Sequence, residues 1–243
     1  MGAPTVAPGT DVLAGVRVIP ERVRGNDYRR AAFGRAWDDD TSAPGGRNGC
    51  DTRNDILGRD LVDIATVVTK RCARAVASGT LRDPYTNATV SFVRGNRVGA
   101  SVQIDHIVPL AFAWDMGARD WPDSLRARFA NDPANLLAVA GQANQDKGDL
   151  PPGQWMPPNT AFWCQYAVAF IEVLRGYRLP VDKASADQDL LLAHLAELTA
   201  LEPQAGEEAR LAEARSDMQK GEKLSGDLEE LRQVMRPDQP VHR

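Results

Sequence analysis

The chain has 243 residues, 43% hydrophobic and 26% charged, the profile of a globular protein able to bury one sizeable core. Its formal net charge of −4 makes no global case for a polyanion-binding protein, and no apolar run is long enough to span a bilayer. Cys50, Cys72 and Cys164, with no Cys-x-x-Cys, are too few and too dispersed for a zinc ribbon. They leave two readings: one bridge plus a thiol in an oxidising compartment, or three thiols in a reducing one.

The charge is unevenly placed. Residues 1–180 carry 21 Lys/Arg against 19 Asp/Glu, and residues 181–243 carry 8 against 14, so the acidity lies in the tail. Residues 53–100 hold 8 basic and 4 acidic side chains, which suits a polyanion or a plain solvated surface equally. Residues 1–26, rich in Gly, Pro and Ala, read as a flexible arm. Their start has no basic n-region and no apolar h-region, so the chain as written reads as cytoplasmic, and export would need a leader outside this sequence or a different route. Residues 27–49 hold a few aromatic anchors and then a Gly/Pro-rich loop. "CDTRNDILGRDLVDI" (50–64) opens on the capping residues Asp51 and Thr52, and Ile56, Leu57, Leu61 and Ile64 recur at helical spacing, so a helix is expected. "ARAVASGTL" and "ATVSFVRG", flanking "RDPYTN", predict a hairpin. "SVQI" predicts a strand running into Asp105 and His106. Pro109 marks a helix start, and "PDSLRARFAND" predicts a second short helix. "ANLLAVA" (134–140) predicts a strand, and "GQANQDKGD" (141–149) a helix that Gly148 helps end. "PPGQWMPPNT" is a rigid loop, "TAFWCQYAVAFIEVLRGYRL" a buried helix and "QDLLLAHLAELTAL" another. Residues 201–243 are charged and poor in apolar side chains, an acidic helical tail that could engage a protein partner.

Three short pieces carry residue types suited to chemistry. "IDHIVPL" supplies Asp105 and His106 at a strand end, "NDPANLLAV" supplies Asn135, and "NQDKGD" supplies Asn144, Lys147 and Asp149 on a helix. Strand, loop, strand, helix is the order of a ββα metal finger closing around one divalent ion. The order Asp-His, Asn, Asn-x-x-Lys-Gly resembles an HNH endonuclease motif with Asn144 in place of the last His. "CDTRNDIL", "ASGTLRDPYT", "IDHIVPLAFAWDMGA", "FANDPANLLAV", "NQDKGD" and "WMPPN" together resemble the HNH-endonuclease-family proteins, which are similar to the C-terminal domain of GmrSD-type restriction enzymes. The likeness runs from about residue 27 to about residue 182. Many such proteins are exported with a leader, and this chain departs from them there.

The resemblance implies an α+β fold, with a ββα-metal (HNH) finger (about 100–150) embedded in a mainly helical shell within a nuclease domain of residues 27–200. It implies a metal-dependent endonuclease that hydrolyses phosphodiester bonds in DNA. Such hydrolysis needs an activated water and neutralised charge on the phosphate. The catalytic residues would be His106, whose imidazole can take a proton from water at neutral pH, and Asn135, which would hold the His106 backbone. Asp105 and Asn144 would supply oxygen ligands to one divalent cation, Mg²⁺ or Mn²⁺ before Zn²⁺. Lys147 and Arg53 would meet substrate phosphates. Ordinary roles compete at each position: turn chemistry for Asn135, helix capping for Asn144, a solvated helix end for Lys147, an ion pair with Asp55 for Arg53. Neighbouring strand residues point to opposite faces, so Asp105 and His106 can share one site only if the strand ends or twists there. His194 and His242 lie outside the motif. The rival readings are a nuclease acting on RNA and a degenerate finger that binds nucleic acid or a protein without cutting.

Overall fold

The computed structural model describes residues 11–95 and 101–188, all within a compact unit spanning Met1–Glu197. The expected helix over "QDLLLAHLAELTAL" beyond its first residue, the tail 201–243, His194 and His242 lie outside the described residues.

The first strand, β1 (Val18–Ile19), pairs in parallel with the last, β7 (Val181–Asp182), with Val18 opposite Val181. Part of the segment expected to be a flexible arm is therefore tied to the rest of the unit, at Val12, at β1 and at Arg22. Val12 is buried, and Arg22 reaches Asp115 Oδ2 (2.7 Å) and Asp149 Oδ2 (2.7 Å). Composition pointed to an arm because the segment is short of apolar side chains. It is held instead by backbone pairing and by ion pairs.

Helix α1 (Thr52–Asp60) starts where expected, with the Asp51 carboxylate accepting from the Asn54 amide (2.8 Å). It does not run to residue 64. "LVDIATVVT" is dense in β-branched residues and forms strand β2 (Leu61–Thr69) instead. Leu61 remains buried, whereas Ile64 faces solvent. The predicted hairpin is β3 (Cys72–Arg82) and β4 (Thr89–Val93), and β2 pairs antiparallel with β3. The result is a three-stranded sheet in the order β2-β3-β4, so the surroundings of residues 100–150 are mixed rather than mainly helical. Cys50 and Cys72 form a disulfide with Cα atoms 4.4 Å apart, joining the start of α1 to the start of β3.

Strand β5 (Val102–His106) pairs antiparallel with β6 (Leu136–Ala140), from Val102 opposite Ala140 to His106 opposite Leu136. Between them lie two short helices, α2 (Leu110–Asp115) with Pro109 at its N-cap and α3 (Asp123–Ala130). Helix α4 (Gly141–Lys147) follows β6 directly and ends at Gly148, whose φ of 54° suits a residue without a side chain. Helix α5 (Trp163–Gly176) is the most apolar and is buried through Tyr166, Phe170, Ile171 and Leu174. One core gathers Phe33, Phe112, Phe129, Tyr166 and Phe170; a second fills the space between α1, the three-stranded sheet and the β5–β6 pair. Among the described residues no helix is long and apolar enough to cross a membrane.

Candidate active site

β5 ends at His106, and its last two side chains diverge as strand alternation requires. Both nevertheless border one cavity of about 400 Å³, walled by Tyr28, Arg30, Gln103, Asp105, His106 and Asn144, with Asp149 at its side. A larger groove, about 720 Å³, lies near α3 and α5 (Arg128, Asp132, Tyr177). Its Tyr177 hydroxyl is given to Asp132 (2.5 Å), and the groove holds no histidine or cysteine.

Asp105 is 5% exposed and fully engaged. Its Oδ2 accepts from the Tyr85 hydroxyl (2.6 Å) and from Lys147 Nζ (2.9 Å), and its Oδ1 accepts from the same ammonium (3.0 Å). Lys147, expected to meet substrate phosphate, is instead wholly buried; its third contact is His106 O at 2.8 Å. Burial pushes the Lys147 ammonium below the usual lysine range, and the Asp105 charge opposes that shift. Burial, and then the Asp105 charge, raises the Tyr85 phenol well above its ordinary range, so it stays a hydrogen-bond donor.

His106 is 7% exposed. Its Nε2 lies 2.9 Å from Ala130 O, and a carbonyl can only accept, so this bond assigns the proton to Nε2 and leaves a lone pair on Nδ1. The Trp37 ring stacks on the imidazole, centroids 5.6 Å apart and planes within 14°. Burial, followed by the positive charge of Arg30, lowers the His106 pKa to about 3, so the ring is neutral at physiological pH. Asn135 is buried and clamps the chain just after the histidine. Its Oδ1 accepts from the Val108 amide (2.8 Å), its Nδ2 donates to Val108 O (3.2 Å), and its own carbonyl accepts from the Ile107 amide (2.9 Å).

Asn144 sits within α4 rather than at its cap, which is Ala140. Its Nδ2 donates to Gln103 Oε1 (2.8 Å). Arg53 is not brought to the cavity. Its Nη2 donates to Val102 O (2.9 Å), at the opposite end of β5 from His106 and so roughly 13 Å along the strand. A carboxylate oxygen from Asp105 and an amide oxygen from Asn144 suit a hard cation that keeps most of its shell from water and phosphate. They suit zinc less well, since zinc sites draw mostly on nitrogen and sulfur. Among the described residues no three or more His, Cys, Asp or Glu side chains group as a metal cage.

Sequence reasoning missed Tyr85, Trp37 and Arg30. Tyr85 had a signal, since an aromatic side chain in a tight "DPYT" turn needs somewhere to be buried. Trp37 and Arg30 had none; only folding brings them to residue 106.

The family model described as GmrSD restriction endonucleases, C-terminal domain, matches residues 51–193. A protein of Arthroderma benhamiae, described as an uncharacterized secreted protein, is 35% identical over 183 residues, covering 74% of this chain and 81% of that one. No solved structure matches the chain significantly.

Proposed function

We propose that this chain, which belongs to the family of GmrSD restriction endonuclease C-terminal domains, is a metal-dependent endonuclease of the HNH type that hydrolyses phosphodiester bonds in DNA. Restriction endonuclease kinship makes nucleic acid the expected substrate class. The observation that carries the mechanism is the placement of His106: buried, fixed through Nε2 and with a lone pair on Nδ1, on the same cavity as Asp105 and Asn144.

In this reading β5, β6 and α4 are the ββα finger. His106 Nδ1 takes a proton from water, the water oxygen bonds to phosphorus, and the bond to the leaving oxygen breaks. Trp37 and the Ala130 carbonyl hold the ring in one orientation, and Asn135 fixes the strand end that carries it. Asp105 and Asn144 would hold a divalent cation, magnesium or manganese before zinc, through oxygen atoms. When bound, the ion would neutralise charge on the phosphate and ease departure of the leaving oxygen. Tyr85 and Lys147 orient Asp105. The disulfide favours an oxidising compartment over the cytosol, in keeping with a relative described as secreted.

One observation favours a second reading, binding without cutting: Lys147 already neutralises the Asp105 carboxylate. Plasmid DNA and RNA incubated with wild type and His106→Ala, in EDTA or with Mg²⁺, Mn²⁺ or Zn²⁺, separates the two. Cleavage by wild type alone, abolished by EDTA and reduced about 10²- to 10⁴-fold by the substitution, is the expected result. Full activity in His106→Ala sinks the mechanism. Absence of cutting by a folded wild type that still retards nucleic acid favours the binding module.

A further inference from the structure

We propose that Arg30 binds the substrate phosphate in this cavity, supplied by a segment that lies outside the matched residues 51–193. The assignment rests on the nucleic-acid reading above and adds a residue that no motif pointed to.

Arg30 opens a short 3-10 turn, Arg30–Phe33. The turn is pinned by Phe33, which is buried against the rings of Tyr28, Trp114 and Phe129 at 6.3, 6.1 and 6.2 Å. A fixed backbone therefore presents an exposed arginine on the wall that carries Asp105, His106 and Asn144. Its guanidinium carbon lies 6.0 Å from the centroid of the Trp37 ring, and Trp37 in turn stacks on His106. The arginine is thus one aromatic layer from the base.

The charges around the cavity set Arg30 apart. Lys147 is matched to Asp105. Arg22 is matched to Asp115 and Asp149, and Arg24 to Asp149. Among the described residues no carboxylate forms an ion pair with Arg30, which lies by the Tyr28 side chain and over the Trp37 ring. A guanidinium drawn over an aromatic ring still has donors to give, and its planar fork matches two oxygens of a phosphate. In this arrangement the Arg30 fork would take two oxygens of a phosphate bound in the cavity that His106 also lines.

The test uses the full chain as wild type, Arg30→Ala, Arg30→Lys and, as a distant control, Lys183→Ala, whose side chain is exposed and paired with Asp187. Binding to a short labelled DNA duplex is measured in EDTA across a salt series, and cleavage is then measured with Mg²⁺. Arg30→Ala is expected to weaken binding about 10- to 100-fold and to lower the slope of log affinity against log salt by about one. Arg30→Lys should restore the slope but only part of the affinity, because it keeps the charge and loses the fork. The control should match wild type. An Arg30→Ala protein with wild-type affinity and slope overturns the assignment. If wild type binds but does not cut, the catalytic reading falls and the slope alone decides Arg30. If wild type neither binds nor cuts, both fall.

Discussion

A lysine with no solvent exposure must have its charge met by partners, and Lys147 meets both oxygens of Asp105 and the carbonyl of His106. Lys147→Met would leave the Asp105 carboxylate buried and unmatched, at a cost of about 3–5 kcal/mol in urea unfolding. Adding Asp105→Asn should return part of that loss, as a double-mutant cycle would show. Tyr85→Phe removes one donor from the same carboxylate and is expected to cost about 1–2 kcal/mol. His106 adds a pH dependence. Its folded pKa of about 3 lies below the ordinary 6.5, so from pH 6.5 downward the unfolded chain takes up a proton that the folded one refuses. Its contribution is complete above pH 6.5 and is lost as pH falls toward 3, at up to about 1.4 kcal/mol per unit. His106→Gln should flatten that part of the slope; an unchanged slope in urea melts between pH 4 and pH 7 would contradict it. Asp105, His106, Asn135 and Asn144 stood out in the sequence by their order alone, and the fold brings Asp105, His106 and Asn144 to one cavity while Asn135 holds the chain just after His106. The sequence could not reveal that Lys147 turns inward, since a lysine near a helix C-terminus reads as a solvated cap. Nor could it reveal Trp37, whose stacking on His106 depends on the path of the intervening chain.

At the scale of elements, spacing and propensity competed most openly between residues 60 and 69. Ile56, Leu57, Leu61 and Ile64 satisfy a helical repeat, yet Val62, Ile64, Thr66, Val67, Val68 and Thr69 crowd β-branched side chains into the same stretch. Propensity and pairing with β3 prevailed, and the register of β2 is irregular between Val62 and Ala65. The β5–β6–α4 unit was read closely because turn residues and a terminal glycine bound each piece. The disulfide closes the loop from the α1 start to the β3 start, with a sequence separation of 22. Reducing it should cost about 3 kcal/mol, seen as a lower urea midpoint in dithiothreitol, while a Cys50→Ala/Cys72→Ala protein should be indifferent to reductant.

For the whole molecule, the family match begins at residue 51, but the domain does not. Val12 and Phe33 are buried, Arg22 ties Asp115 to Asp149, and Trp37 covers His106. A chain begun at Pro44 keeps the disulfide together with Asp105, His106, Asn135 and Asn144, yet loses all of these. It is expected to lose at least about 3–5 kcal/mol from Phe33 alone and to lack nuclease activity. Near-UV circular dichroism and plasmid cleavage would check both; a stable, active fragment would show that the early segment is dispensable.

The parallel pairing of Val18 with Val181, reinforced by Arg175 reaching back to Val12 O, also sets a schedule. On the ribosome, β1 emerges early and must wait for a partner translated more than 160 residues later. No nascent chain shorter than about residue 182 can close the domain. The order of synthesis thus keeps the domain open until residue 182 has been made, and a cell making it carries unfinished copies that lack this seam.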